Sequence, residues 1–137
     1  MNAQDELIKY RREKAKETLR DAGILLKAGS SYSAVNRIYY AMFYEVVALL
    51  LTQELSSVKH SGVRALFNEH FVKTGKADTE LGRFYSRMFD FRQKSDYGDF
   101  VVFEEDKVKE WLNKAEQFIE SLEGIIEKGS GDETQLK

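Results

Sequence analysis

The sequence predicts an all-α fold, an up-and-down helical bundle of four long helices and one short helix, and three observations support this prediction. Proline, the residue that most strongly breaks a helix, is absent from all 137 residues. Apolar residues recur three and four positions apart through most of the chain, which is the spacing that lines one side of a helix. Short breaks rich in glycine, serine and aspartate separate these stretches, and short connections favour antiparallel neighbours.

Two long helices are predicted in the first part of the chain. The first extends from about Asp5 to Leu26, and the stretch KAGSSYS, residues 27–33, ends it. Ser31 or Ser33 can cap the second helix, which continues to about residue 54. This second helix is apolar on nearly every side, so we expect other helices to cover it from several directions.

The short helix is predicted next, beginning at Ser57 or Ser61, and the fourth helix begins after Asp78 and includes Arg92. Residues 95–103 are predicted to form a loop, with a short strand at 101–103 as the alternative.

The fifth helix is predicted from residue 104 to about residue 126, where its apolar stripe ends. We therefore expect a single domain of residues 1–128, followed by a flexible C-terminal tail of residues 129–137.

Composition argues against several classes of site. Cysteine is absent, so the chain has neither a disulfide nor a thiolate metal ligand. The two histidines, His60 and His70, do not lie in a metal-binding spacing, and we expect no metal and no cofactor. The net charge of −2 gives no overall attraction to nucleic acid, so any such binding requires a local pocket.

The N-terminal stretch MNAQDELIKYRREK is charged and lacks the apolar block of a signal peptide. No apolar run approaches the roughly 18 residues of a membrane span. We therefore expect a cytoplasmic protein that does not bind membranes.

The second helix carries a polar seam on its otherwise apolar surface. Arg92, four residues after Met88, likewise continues an inward stripe of the fourth helix. A buried guanidinium without a partner costs several kcal/mol, so each of these arginines needs a carboxylate, a partner across an interface or a ligand anion. At about 100° per residue, the residues that fall on or beside the seam are Ser33, Asn36, Arg37, Tyr40 and Tyr44.

Two interpretations of this seam remain open. Arg37 can pair with an acid of the same chain while the tyrosines pack, and its candidate partners are Glu45, Asp90 and Asp96. Alternatively, Arg37 and Arg92 line a shared cleft that binds phosphate, because the planar guanidinium suits that anion. The candidate nucleotide-binding or phosphate-binding residues are Asn36, Arg37, Tyr40, Tyr44, Arg92 and Asp96.

Two further arginines, Arg11 and Arg12, lie in the gap of the apolar stripe of the first helix. Their aliphatic stems can cover the core while their charged heads stay in water, or the heads can point inward at a shared polar site. We expect the first arrangement.

Three stretches, SYSAVNRIYYAMFYEVVALL, KHSGVRALFNEHFVKTG and FDFRQKSDYGD, resemble the HEPN domain family in its small stand-alone prokaryotic and archaeal branch. The resemblance covers roughly Tyr10 to Leu122. It implies an up-and-down bundle that forms a homodimer. It also implies a toxin-antitoxin or accessory system in which a minimal nucleotidyltransferase is the partner protein.

Active members of that family are metal-independent ribonucleases with an Arg-x(4-6)-His motif. Here the corresponding positions hold Tyr44, seven residues after Arg37, and Asp96 and Tyr97 after Arg92. Tyrosine, with a reference pKa of about 10, is a poor general base near neutral pH. The candidates for a catalytic role are therefore Arg37, Tyr44, Arg92 and Tyr97, and the motif is degenerate.

Neither of the two histidines supplies the histidine that the motif lacks. Arg64 and His70 match its spacing, but a six-residue step places their side chains about 120° apart on a helix. His60 lies in a predicted turn, where we expect a structural or solvated role.

We therefore expect a dimeric HEPN-type module, non-catalytic or weakly active, with a cleft for a nucleotide or RNA phosphate. One alternative is a ribonuclease toxin. A second is a structural helical adaptor, in which the polar seam contains only ion pairs.

Overall fold

A computed structural model describes the backbone of residues 2–97 and 102–136 and the side chains of residues 2–94 and 102–129. This part of the chain is helical and contains no strand, which confirms the predicted all-α class. A π-helical turn, Asn68–Val72, follows the short third helix. The α-helices are α1 (Ala3–Lys27), α2 (Ser31–Leu51), α3 (His60–Phe67), α4 (Thr79–Tyr97) and α5 (Glu105–Leu136).

Helix α2 lies at the centre of the bundle and packs against α1, α3, α4 and α5, as its all-round apolarity predicted. It is long and apolar enough to cross a membrane, so the expectation that no segment reaches this length was wrong. About 61% of its apolar window is buried inside the bundle. Coverage by the other helices accounts for this apolarity, because a helix buried on several sides needs no polar face there.

Aromatic side chains join α2 to the rest of the core. Tyr39 of α2 and Tyr85 of α4 are fully buried, and their rings stack with centroids 5.9 Å apart. Tyr85 stacks in turn on Phe118 of α5 at 5.7 Å, and Phe67 of α3 meets its edge at 5.8 Å. Burial of one large apolar side chain contributes about 1.5–3 kcal/mol, so these rings fix the position of Tyr39 within the bundle.

The connection to α3 depends on a close approach of the backbone at Gly62. A Cβ atom at this position would lie 2.1 Å from the Ser57 hydroxyl oxygen, and the same hydroxyl accepts a hydrogen bond from the backbone N–H of Lys59. Glycine therefore permits the tight turn that precedes α3. The helix begins at His60, between the predicted starts at Ser57 and Ser61.

Helix boundaries differ from prediction at α2 and α4. Residue Ser30 takes the N-cap position of α2 without a side-chain hydrogen bond, so neither serine predicted as the cap fills that role. The predicted cap of α4 is correct, because the Asp78 carboxylate accepts a hydrogen bond from the backbone N–H of Glu80 at 2.8 Å. The backbone of α4 continues to Tyr97, so the first part of the predicted loop is helical.

The chain after α4 is described again from Val102. Residues 102–104 have no regular structure, and the first residue of the alternative strand, Val101, lies outside the described part. Helix α5 extends past the end of its apolar stripe to Leu136. The flexibility of residues 129–137 stays a prediction.

Candidate functional site

The polar seam of α2 lies at the edge of the core and remains open to solvent. Ser33 is exposed, and the other four seam residues are half-buried. Residues of the opposite side, such as Val35, Ile38 and Met42, are completely buried. The helix period thus placed the polar residues on one accessible strip, as the sequence predicted.

Arg37 is held against the ring of Tyr40. Its Nε and Nη2 atoms donate hydrogen bonds to the Asn36 side-chain oxygen at 3.1 and 2.8 Å. The guanidinium carbon lies 5.1 Å from the centroid of the Tyr40 ring, a distance at which the positive charge is attracted to the ring face. Asn36 and Tyr40 therefore orient the guanidinium without neutralising its charge.

The acids proposed as partners of Arg37 do not supply an ion pair within the described side chains. Glu45 is fully buried on another side of α2, near Arg12 and Lys16. The Oδ1 atom of Asp90 lies 3.9 Å from the Nη1 atom of Arg64, so this acid pairs with Arg64 and not with Arg37. The side chain of the third candidate, Asp96, falls outside the described part. Among the side chains that are described, no carboxylate forms an ion pair with Arg37.

Arg92 reaches the same tyrosine from α4. Its guanidinium carbon lies 5.9 Å from the Tyr40 centroid and 5.2 Å from the Tyr39 centroid. Its Nη1 atom donates a long hydrogen bond, 3.4 Å, to the Tyr40 hydroxyl. Arg37 and Arg92, which one of the two interpretations of the seam placed in a shared cleft, thus lie beside the same ring.

His60 joins this group, although the sequence favoured a structural or solvated role for it. Its ring stacks on Phe43 with centroids 4.3 Å apart and lies 5.6 Å from the Tyr40 ring. Its Nδ1 atom lies 3.0 Å from the Tyr39 hydroxyl. A histidine and Arg92 therefore lie beside the same two tyrosines, in an arrangement that the missing Arg-x(4-6)-His motif could not reveal.

The buried hydroxyl of Tyr39 affects which ring nitrogen of His60 carries the proton. Desolvation raises the pKa of Tyr39 to about 12, so its hydroxyl keeps its proton across the physiological range. When this hydroxyl donates to His60, Nδ1 is the acceptor and the neutral imidazole carries its proton on Nε2.

Arg11 of α1 extends the group along the seam. Its guanidinium carbon lies 6.0 Å from the centroid of Tyr44, and the Tyr44 ring lies 6.2 Å from that of Tyr40. The expectation of a solvated head is wrong for this residue, because the half-buried side chain lies over tyrosine. We define the tyrosine–arginine cluster as Arg11, Asn36, Arg37, Tyr39, Tyr40, Tyr44, His60 and Arg92.

Four other candidate residues of the sequence fall outside this cluster or have side chains that are not described. Arg64 lies over the Phe89 ring at 4.1 Å, and Arg92 approaches the same ring at 5.8 Å. His70 instead faces the Glu69 carboxylate at 3.9 Å, so the literal motif pair makes separate contacts. Tyr97 is the last residue of α4, but its side chain and that of Asp96 lie outside the described part of the chain.

The chemistry of the tyrosine–arginine cluster favours an anion. It contains three guanidinium groups and tyrosine hydroxyls, and none of its described members carries a carboxylate. Guanidinium groups bind phosphate through parallel N–H donors. Arg11 and Arg37, which pair with no described carboxylate, therefore make the described part of the seam locally positive on a chain whose net charge is −2.

A model of the HEPN domain matches residues 8–125 of the chain. A "UPF0332 protein" of Thermotoga maritima is 56% identical over 127 residues, which covers 93% of this chain and 96% of that protein.

Two proteins of Methanocaldococcus jannaschii are also similar. The one named "Putative toxin MJ0142" is 35% identical, covering 90% of this chain and 87% of its own length. The one named "Putative toxin MJ0605" is 34% identical, covering 85% and 86%.

Proposed function

Because the chain belongs to the HEPN domain family, we propose that it is a dimeric helical module of a toxin-antitoxin or nucleotidyltransferase-associated system. In this proposal its tyrosine–arginine cluster binds a phosphate group of RNA or of a nucleotide. The names of the two M. jannaschii relatives support a connection with toxins.

The observation that carries the binding proposal is the shared contact of Arg37 and Arg92 with Tyr40. Arg37, which forms no ion pair with a described carboxylate, brings a positive charge to this ring, and an anion there would balance it. Arg37 is already oriented by Asn36, so little side-chain freedom is lost when it binds. Phosphate oxygens can then accept hydrogen bonds from both guanidinium groups.

Titration calorimetry with AMP and with a short RNA tests this proposal. A charge-assisted hydrogen bond contributes about 1.5–3 kcal/mol, so we expect Arg37→Gln to weaken binding about 10- to 100-fold. Arg20→Gln is the matched control, because Arg20 is exposed on α1 and lines a different groove, between α1 and α5. Absence of binding to the wild-type chain, or equal affinities of the two variants, would contradict the proposal.

The dimer is a separate part of the proposal. Homodimers usually have two-fold symmetry, so an interface at the cluster would bring two copies of the arginines near one axis. Sedimentation at micromolar concentration tests it directly. A dimer is the expected result, and a monomer at all concentrations would contradict this part and leave the phosphate site to be tested alone.

A second candidate function, metal-independent RNA cleavage, is favoured by the position of His60 near Arg92. In this scheme Arg92 holds the phosphate. His60 adopts the tautomer whose Nδ1–H donates to the Tyr39 hydroxyl oxygen, so its free Nε2 takes the proton of the ribose 2′-hydroxyl. The 2′-oxygen attacks phosphorus, and the bond to the 5′-oxygen breaks. The proton passes to that leaving oxygen, and a cyclic phosphate remains.

Incubation of the protein with a structured RNA in EDTA distinguishes the two functions. A ribonuclease should lose cleavage in His60→Ala and in Arg92→Ala but retain it in His70→Ala, whose histidine faces Glu69 instead. An uncut RNA that still binds to the wild-type chain would exclude cleavage and favour the binding module.

A further inference from the structure

The cationic seam does not end at Tyr40. One helical turn further along α2, the Tyr44 ring lies within 6.0 Å of the Arg11 guanidinium carbon. The same guanidinium lies 5.7 Å from the ring of Tyr10, which is 54% exposed. The seam therefore presents a second cation and a second pair of aromatic rings beyond the pair of arginines at Tyr40.

Arg11 lacks the neutralising contacts that its neighbour has. Its Nε atom is buried and has no hydrogen-bond acceptor, and no described carboxylate forms an ion pair with the residue. Arg12, the next residue, pairs with both Glu123 and Glu127 of α5. Buried donors in proteins almost always have partners, so the Nε of Arg11 is a position where an acceptor is expected.

We propose that Arg11 and Tyr44 form a second phosphate subsite, and that the ligand carries two phosphate groups separated by a nucleoside. This inference rests on the proposed function, because it assigns the first phosphate to Arg37 and Arg92. The ligand class is thus a dinucleotide unit, as found in a single-stranded nucleic acid.

The aromatic rings beside both cation positions support a dinucleotide over a nucleoside diphosphate. Tyr40 and Tyr44 are successive on one helix face, with ring centroids 6.2 Å apart, and a guanidinium lies beside each ring. A nucleoside diphosphate has one base, whereas a dinucleotide has two, and the exposed Tyr10 ring beside Arg11 offers the second base a surface to stack on.

Titration calorimetry with AMP, ADP and the 5′-phosphorylated dinucleotide pApA tests the subsite. We expect the wild-type chain to bind pApA at least tenfold more tightly than AMP or ADP. Arg11→Gln should reduce the affinity for pApA at least tenfold, and reduce it by a larger factor than the affinity for AMP. Arg20→Gln, an exposed arginine of the same helix, should change neither affinity.

A second variant, Arg11→Met, keeps the aliphatic stem in place over the tyrosines and should behave like Arg11→Gln if the charge is what matters. Circular dichroism establishes that both variants are folded. An unchanged affinity for pApA in both variants would overturn the subsite, as would binding of ADP as tight as that of pApA. These failures leave AMP binding and its dependence on Arg37 intact, whereas failure of the proposed function would abolish AMP binding as well.

Discussion

Two groups of polar residues flank α2, and they differ in whether described carboxylates pair with their arginines. In the tyrosine–arginine cluster, Arg11 and Arg37 lie over aromatic rings and pair with no described carboxylate. The second group, here named the ion-pair cluster, lies between α1, α2 and α5 and consists of Arg12, Lys16, Glu45, Glu123 and Glu127. Arginine beside a core is therefore not enough to indicate a ligand site, and the described ion pairs distinguish Arg12 from Arg11 and Arg37.

The ion-pair cluster satisfies its charges internally. Lys16 lies 2.7 Å from Glu123, and Arg12 pairs with Glu123 and with Glu127. Burial works against ionisation of Glu123, but hydrogen bonds from Arg12 and the other partners outweigh it and lower its pKa. Burial and the adjacent Glu123 carboxylate raise the pKa of Glu45 to about 9, so Glu45 is neutral at pH 7. The described cations of this cluster thus have acid partners within it, although neither carboxyl oxygen of Glu45 forms a hydrogen bond with a described residue.

The largest expected effect is on stability, from Glu123→Ala. Removal of this carboxylate leaves Arg12 and Lys16 without their closest acid. The pair with Arg12 is half-buried, and the loss of a hydrogen bond between charged groups costs about 1.5–3 kcal/mol. We expect the free energy of unfolding in urea at pH 7 to fall by about this amount. Arg37→Gln, in the tyrosine–arginine cluster, should change it by less than about 1 kcal/mol. Equal losses in both variants would remove the distinction between the clusters.

Glu45→Gln is expected to have a smaller effect, which appears in how the free energy of unfolding depends on pH. The folded chain holds a proton on Glu45 that the unfolded chain releases above about pH 4.5. The contribution of Glu45 to the free energy of unfolding therefore falls as pH rises from about 4.5 to 9. Glutamine keeps the shape and cannot ionise, so we expect a gain of about 1–2 kcal/mol at pH 8 and a flatter pH profile.

Glu116→Gln serves as the control for this measurement, because Glu116 is an exposed carboxylate of α5. Parallel urea titrations between pH 5 and pH 9 provide the comparison. If wild type and Glu45→Gln show the same slope with pH, the buried carboxyl group is already ionised in the folded chain.

The smallest effect is expected at Gly62 and tests how His60 is positioned. Gly62→Ala places a methyl group against Ser57, which should shift the turn and cost about 1 kcal/mol. Ser57→Gly removes the obstructing side chain, so the double variant Gly62→Ala/Ser57→Gly should recover most of that loss. The chemical shifts of the His60 ring protons report whether its stacking on Phe43 is disturbed. Unchanged stability and shifts in Gly62→Ala would show that this turn does not position the histidine.

The sequence predicted the arrangement of residues along a single helix better than the contacts between residues of different helices. The seam from Asn36 to Tyr44 follows from the helix period alone, and the inward position of Arg92 follows from a step of four from Met88. His60 and Arg11 could not be found in this way, because each reaches the seam from another helix. The glycine at position 62 is the one local sign in the sequence of a tight turn beside His60, since the backbone there passes too close to Ser57 for any side chain.

The difference between Arg11 and Arg12 shows the same limit. Both follow the first apolar stripe, and the sequence assigned them one solvated role. The packing of α1 against both α2 and α5 separates them, since Arg12 meets acids of α5 and Arg11 meets tyrosine of α2. Neighbouring residues on a helix point about 100° apart, so two identical side chains can reach different partners.

A crystal structure of the protein with bound AMP would show directly whether the tyrosine–arginine cluster binds phosphate. We expect phosphate oxygens within about 3 Å of guanidinium nitrogens of both Arg37 and Arg92, beside the Tyr40 ring. A phosphate bound elsewhere, with Arg37 neutralised by an acid of its own chain, would contradict it.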